Sequence, residues 1–504
     1  MATNHTTQPE AEKSQPTYYS RHFGMHFPAC DTRFSNLSML APACHRVKEL
    51  WPFLVCLPSW PYCWGGAKPG LHTKILVIFK NNARRTANLV SCVGIWFQGH
   101  GSQPDLNFSR DTIMPLWIFL LVAQNTVFQP ESPIVLGKLE IPGTQADRSG
   151  LTGKLSDGSP ANRLGGFGSA LAATDKPGFF FMLPDRGPGD GMVDFPCRFH
   201  RVMLNLPEAV GVPEFTVLGT TLLRDPQGAM LTGGSKNLDH RWDPEGMRVG
   251  PWPACVPNRR NRPGQAVFLS EEYGPRVGIF QQDGVLVREL PVPARMRVNK
   301  PHADAKTEEA QNAVGRQPNK GFEGLALSPE ADTLWVATQG PLLQDHKAAN
   351  GRWIRLVRYN LEAGSLAGEF VYPLDAPHCG VSEILWVSPN QLLVLERDSF
   401  AGKEAKVKRI YLATNANATD VSTLDCLSDA KKPVKPWRKR LLVDLLDPKL
   451  GLAGERFPPK WEGMAWGEVL GGARVLWLIT DNDFVSKNST WVLALRIPEG
   501  MLRN

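Results

Sequence analysis

The stretch Lys320–Pro341, KGFEGLALSPEADTLWVATQGP, decides the fold. A Gly-Phe-Glu-Gly turn leads into the apolar string Leu325–Leu327, Ser-Pro-Glu-Ala-Asp breaks it, and Thr333–Thr338 follows as a second apolar string. Short runs of Leu, Val, Thr and Trp between Gly, Pro and Asp breakers read as two buried strands, because helices need longer runs at a 3.6-residue period. The same unit recurs along the chain. Its other copies are GGFGSALAATDKPGFFFMLPDRG (165–187), DPEGM with AVFLSEEYGP (243–275), VSEILWVSPNQLLVLERD (381–398) and KWEGMAWGEVLGGARVLWLITDND (460–483). The turn residues Ser169, Glu245, Glu323, Glu383 and Glu462 stand 76, 78, 60 and 79 residues apart.

A supersecondary unit repeated at such intervals is the mark of a β-propeller. The spacing exceeds the roughly 40–50 residues of a minimal four-stranded blade, so long loops are expected on one rim. Further strands are expected at Pro133–Ile141, Gly178–Leu183, Ala266–Leu269, Gln391–Glu396, Val475–Thr480 and Thr490–Ile497, and one short helix at Thr307–Val314. Five marked units, one unmarked unit and a free strand at each end predict an all-β ring of six blades, with five and seven left open. Pro133–Ile141 would complete the blade begun by Thr490–Ile497 and so hide both sheet edges.

Composition agrees. The 504 residues include 46 Gly, 42 Pro and 15 Trp, with 42% hydrophobic and 21% charged side chains. This excludes wholesale disorder and a multi-span membrane protein. A net charge of +7 is small for the length, so no nucleic-acid partner is expected. Residues 1–140 differ: five of the nine cysteines and six of the eleven histidines fall there without zinc-site spacing. The reading is an irregular extension over 1–130 and a propeller over 131–504. The uncharged run Ile113–Ala123 is too short to span a bilayer but has the length of a signal-peptide core. The expectation is that the natural product starts near Met114, or that an upstream exon was joined wrongly, so that 1–113 is not a folded module.

In a propeller the innermost strands face a central channel, so a residue repeated at one blade position recurs as a ring. Glu245, Glu323, Glu383 and Glu462 are expected to form such a ring, with the second-strand ends Asp185, Glu271, Gln339, Glu396 and Asp481 beside it. Crowded carboxylates demand protons, basic groups or a cation, and hard oxygen donors suit Ca²⁺ or Mg²⁺. The expected metal set is Asp185, Glu245, Glu271, Glu323, Glu383, Glu396, Glu462 and Asp483. The competing reading has each Glu capping its own turn. Arg186, Lys320, Arg397 and Lys460 flank the acids and are candidates to bind an anionic group, or to pair with their neighbours. Glu323, Glu462, Asp481 and His240 are the catalytic candidates, with His200 and His378 as further acid–base candidates; no nucleophile elbow or triad is legible. The basic run Lys431–Arg440 reads as a solvated inter-blade loop. Cys197, Cys255, Cys379 and Cys426 permit two disulfides, and Asn417 and Asn488 lie in glycosylation sequons.

Taken together, FMLPDRGPGDG, DPEGM…FLSEEYGP, NKGFEGLALSP, LLVLERD and KWEGMAW…LITDNDF resemble the phytase-like domain family, also described as esterase-like activity of phytase. The resemblance covers about 160–485. It implies an exported propeller hydrolase in which channel-mouth acids hold Ca²⁺ and Arg or Lys neutralises a phosphoric or related ester. The expected partner is therefore a small anionic ester, and the chain is expected to be monomeric with no membrane span. Gln339 stands where that pattern has an acid. A non-catalytic propeller with a structural ion, and a lactonase-like Ca²⁺-dependent esterase with His240 as base, remain the alternatives.

Overall fold

The computed structural model describes residues 132–207, 209–234 and 240–503. The expectations for the N-terminal extension, its five cysteines and the run 113–123 lie outside them.

The described residues form five four-stranded antiparallel sheets. The first comprises β2 (Ala170–Ala173), β3 (Phe179–Leu183), β4 (Arg198–Asn205) and β5 (Glu214–Leu222). The second comprises β6 (Pro244–Gly250), β7 (Ala266–Glu271), β8 (Arg276–Phe280) and β9 (Leu286–Glu289). The third is β10 (Phe322–Leu327), β11 (Thr333–Thr338), β12 (Trp353–Asn360) and β13 (Ser365–Pro373). The fourth is β14 (Gly380–Ser388), β15 (Gln391–Arg397), β16 (Lys408–Thr414) and β17 (Arg438–Asp444). The fifth holds β18 (Trp461–Leu470), β19 (Ala473–Thr480), β20 (Ser489–Pro498) and, as its outer strand, β1 (Ile134–Pro142). Strand β1 pairs with β20 from Ile134 opposite Arg496 to Pro142 opposite Ser489, which closes the ring with strands from both ends of the body.

The inner strands β2, β6, β10, β14 and β18 contact one another in a cycle, so the sheets are propeller blades about one channel. The blade count is five, not six. Each marked unit is one blade; the long connections on the rim where the inner strands begin, such as residues 290–321, supplied the length that suggested an unmarked sixth. Helix α1 (Ala305–Gln311) lies in that connection, and Asp304 caps it by accepting from the Thr307 backbone N–H at 2.9 Å.

Why the strands read as continuous apolar runs is plain from the packing. Leu393 and Leu395 face the fifth blade, packing with Met464, Leu476 and Leu478, while their neighbours Leu392 and Val394 face Trp335 and Leu356 of the third. Successive side chains of one strand thus bury on opposite faces. A separate hydrophobic cluster fills each of the five blade interfaces. Residues 415–437, which include the start of the basic run, follow β13, where the Val421 and Trp437 N–H groups donate to Glu369 and Val371 carbonyls and cover the blade edge. The four cysteines expected to pair are all free, with Cys197 and Cys379 buried. Among the described residues no helix is long and apolar enough to cross a membrane.

Candidate functional site: an acidic channel mouth

Each inner strand begins on the same rim, and the register there places the site. Pro244, Phe322, Val381 and Trp461 lie opposite Glu271, Thr338, Glu396 and Thr480, and the pairing then shifts by a bulge. A bulge sets two residues against one and re-aims a side chain. In PEGM, FEGL and WEGM the two are Glu-Gly. The glycine is required by close approach: a Cβ on Gly324 would lie 2.6 Å from Glu383 Cα, and one on Gly463 2.8 Å from Leu171 N. The glutamates that precede these glycines, Glu245, Glu323 and Glu462, are buried at the mouth together with Asp243 and Glu272.

One residue of register separates the expected ring from the real one. In VSEI, Ser382 occupies the glutamate position and Glu383 the glycine position. Glu383 therefore turns below the mouth, accepting from the Leu325 and Ile384 N–H groups at 3.1 and 3.0 Å and meeting Arg248 at 2.9 Å. On the second strands, Glu272, Gln339, Arg397 and Asp481 follow the residue opposite the bulge in blades two to five, and Asp185 stands two past the last pair in blade one. Glu271 and Glu396 are not in the ring. Glu271 accepts from the backbone N–H groups of Asp243, Tyr273 and Gly274. Glu396 takes the N–H of Asp375, the Tyr372 hydroxyl and the Lys439 ammonium. Both serve the turn-capping role.

Two groups of three carboxylates could each hold a cation. Asp185, Asp481 and Asp483 form one, and Asp185, Asp243 and Glu245 the other; within each, donor oxygens lie within 4.8 Å of one another. Asp185 belongs to both. Glu323 and Glu462 flank them, with Glu323 accepting from the Gln339 amide and Glu462 paired with Arg397.

The basic residues divide. Arg186 points its Nη1 at Asp243 Oδ2 (2.5 Å), with Glu272 at 3.5 Å and Glu245 at 3.8 Å. Lys460 pairs with Asp483 and stands 3.8 Å from Asp481. Lys320 is half-buried beside Gly340 and forms no ion pair among the described residues. His240 lies apart, 3.6 Å from Asp225. His200 is buried in β4 against the Thr220 hydroxyl, and burial pushes it down to about 3, so it stays neutral. His378 is exposed near Phe400.

The electrostatics express crowding. Asp185, Asp243, Glu245, Glu272, Glu323, Glu462, Asp481 and Asp483 face only Arg186, Arg397 and Lys460 as ion-paired cations. Burial pushes Asp185 up to about 7 and Glu272 up to about 8, with Asp243 adding repulsion to both. Burial also holds Glu245, Glu323 and Asp481 well above the usual carboxylate range, helped by neighbouring acids. Oδ2 of Asp481 and Oε2 of Glu272 are buried with no hydrogen-bond partner. Sequence reasoning missed Glu272, Arg248 and, as a candidate ion ligand, Asp243. The first was legible as the residue after Glu271 in SEEY, had the strand-end position been counted from the Glu-Gly bulge.

Below the mouth Arg248 spans the space between blades. Its guanidinium donates to the Leu171, Met247 and Ile384 carbonyls, tying blades one, two and four together.

The family model described as phytase-like, esterase-like activity of phytase, matches residues 162–484. An "Uncharacterized secreted protein" of Arthroderma benhamiae is 26% identical over 337 residues, covering 53% of this chain and 65% of that protein, so the chain spans less than two thirds of its relative. Among solved structures, the chain is similar to the Dos1 propeller (TM-score 0.29, 7% identity, 67% of this chain and 69% of that one). A Bacteroides caccae protein of unknown function gives a TM-score of 0.27 at 9% identity, covering 62% and 72%.

Proposed function

The chain belongs to the phytase-like family, esterase-like activity of phytase, and from that premise we propose that it hydrolyses a small anionic ester at the acidic channel mouth with the help of a divalent cation. The observation that carries the reading is the pair of carboxylate triads sharing Asp185. The residues fit such an ion: every donor is a hard oxygen, Asp481 Oδ2 is buried with no hydrogen-bond partner, and among the described residues the acids outnumber their paired bases. Asp185, Asp243, Glu245, Asp481 and Asp483 would hold it. When bound, a Ca²⁺-type cation supplies Lewis acidity and a more acidic water.

The protein's own groups do the rest. Glu323 and Glu462, fixed by Gln339 and Arg397, are placed to accept a proton from the attacking water. Lys320 forms no ion pair among the described residues, and it would meet the anionic group that Arg186, Arg397 and Lys460, already paired with acids, meet more weakly. Arg248 spans the space beneath, and substrate enters and product leaves by the rim. Export of the chain is part of the proposal, supported by the secreted description of the A. benhamiae relative and by the two sequons.

The test is a panel of phytate, p-nitrophenyl phosphate and p-nitrophenyl acetate with Ca²⁺ or chelator. Calcium-dependent release is expected. Glu323→Gln and Glu462→Gln are each expected to lower kcat at least 100-fold; Glu323→Gln removes a crowded charge and leaves the melting temperature unchanged or raised, whereas Glu462→Gln strips Arg397 of its counter-ion and lowers it. A loaded, folded protein that cleaves none of these esters rejects the proposal. One observation favours a second reading, a non-catalytic binding propeller: Arg186, Arg397 and Lys460 are each already paired with an acid.

A further inference from the structure

At the ends of the inner strands away from the mouth lies a cavity of about 320 Å³, lined by all five of them: Leu171 of β2, Arg248 of β6, Leu327 of β10, Trp386 of β14 and Trp466 of β18. None of the channel-mouth acids lines it, and the chemistry proposed above leaves it unused. The two tryptophans are half-buried and stand at equivalent positions of adjacent blades, five residues beyond Val381 and Trp461, the last pairs before the bulge. The Trp466 indole N–H donates to the Trp386 carbonyl at 2.9 Å, and Arg474 stacks 4.3 Å over the Trp466 ring, so that ring is held from two sides. Arg248 is only 6% exposed. Its Nη1 and Nη2 are spent on the Leu171, Met247 and Ile384 carbonyls, while its Nε is buried with no hydrogen-bond partner among the described residues.

A buried N–H without an acceptor costs free energy that a ligand oxygen would recover, and open indole surface favours an aromatic ring. The charge balance selects a neutral molecule. Both cations that line the cavity have an acid, Arg248 with Glu383 at 2.9 Å and Arg474 with Glu499 at 3.8 Å, and Asp175 adds a negative charge on the exposed side. The volume stands at the lower end of the range for small-molecule sites, about 300–1,000 Å³. We propose that this cavity is a second ligand site, which takes a small uncharged aromatic molecule bearing a carbonyl oxygen. The ring packs against Trp386 and Trp466, and the oxygen accepts from Arg248 Nε. The inference stands apart from the ester-hydrolase reading and survives its failure.

Three probes of one size test it on the full chain: 4-fluoroacetophenone, 1-ethyl-4-fluorobenzene, which lacks the acceptor, and 4-fluorobenzoate, which adds a charge. Affinities are read from ¹⁹F line broadening on titration with protein. Wild type is expected to bind the ketone at least tenfold more tightly than either of the others, a comparison that needs no variant to fold. Trp386→Leu keeps the backbone carbonyl that Trp466 uses and is expected to weaken the ketone at least tenfold, Trp386→Phe less. In Arg248→Met/Glu383→Gln, which removes the donor and its counter-charge together, ketone and hydrocarbon are expected to bind alike. No binding of the ketone up to its solubility, equal affinity of wild type for ketone and hydrocarbon, or tighter binding of the benzoate overturns the proposal. So does an unchanged ketone affinity in folded Trp386→Leu.

Discussion

Replacing Arg248 by methionine removes the group that ties three blades together across the channel. Its guanidinium lies 3.1, 2.5 and 2.7 Å from the carbonyls of Leu171, Met247 and Ile384, and 2.9 Å from Glu383 Oε2. Glu383 is fully buried, so Arg248→Met strands a carboxylate with no cation; breaking a buried pair in this way costs about 3–5 kcal/mol. Over the roughly 380 residues from Asn125 to Asn504, unfolding entropy is about 0.8 kcal/mol per degree, so the melting temperature falls by about 4–6 °C. The loss depends on pH with a definite sign. Burial raises Glu383 to about 7 even with Arg248 lowering it, against an ordinary 4.5, and the variant moves it higher still. The folded state then holds a proton that the unfolded chain has lost, so stability falls as pH rises through this window. Calorimetry at pH 5 and pH 8 therefore shows the smaller deficit at pH 5, where Glu383 is protonated in both proteins; the channel-mouth acids are common to both and cancel. Arg248→Met/Glu383→Gln is expected to recover at least half of the loss at pH 8 and to abolish its pH dependence. A deficit that is flat from pH 5 to 8, or a double variant no better than the single, refutes the reasoning.

Calcium at 100 times its Kd is expected to stabilise the protein by about 2.7 kcal/mol, or about 3 °C by scanning calorimetry. Asp185→Asn, in the one residue shared by both triads, is expected to remove that shift. Gly324→Ala forces a Cβ against the Glu383 and Ile384 backbone, and with backbone on both sides it costs about 2–3 kcal/mol in urea unfolding. Cys197 is buried and burial pushes its thiol up, so thiol reagents are expected to modify it only after unfolding, as read by peptide mass.

The architecture was legible because each blade is a local repeat whose strands bury both faces. Leu334–Ala337 of β11 and Leu392–Leu395 of β15 are continuous apolar runs since alternate residues serve different neighbouring blades, and each run is too short for a helix. The closure by β1 was legible for the same reason: two strands at opposite ends of the body lacked partners within their own units. Blade number was not. It depends on how much of each interval is strand and how much is loop, and a connection such as 290–321, with one seven-residue helix, carries no periodicity that separates it from a degenerate blade.

The site was legible in kind but not in frame. Composition alone gives the acids at the strand ends, yet which of two adjacent acids faces the channel is decided by a bulge, and a one-residue slip reverses every side chain beyond it. Glu271 and Glu272 show the consequence. The first is raised by burial, against which Arg276 and the Gly274 and Tyr273 N–H groups lower it; the second has an oxygen with no hydrogen-bond partner, and burial, with Asp243 beside it, pushes it up to about 8. The glycine after Glu245, Glu323 and Glu462 carries the missing information, because the bulge there brings a neighbouring blade's backbone too close for a Cβ. In blade four, where Glu383 takes that place, the side chain can fit only by running down the channel to Arg248. Blade one departs from Glu-Gly with the uncharged Ser169-Ala170, but the departure in blade four supplies the counter-charge for Arg248, and it explains in one step why the fourth glutamate is absent from the mouth and why a guanidinium spans the channel below it.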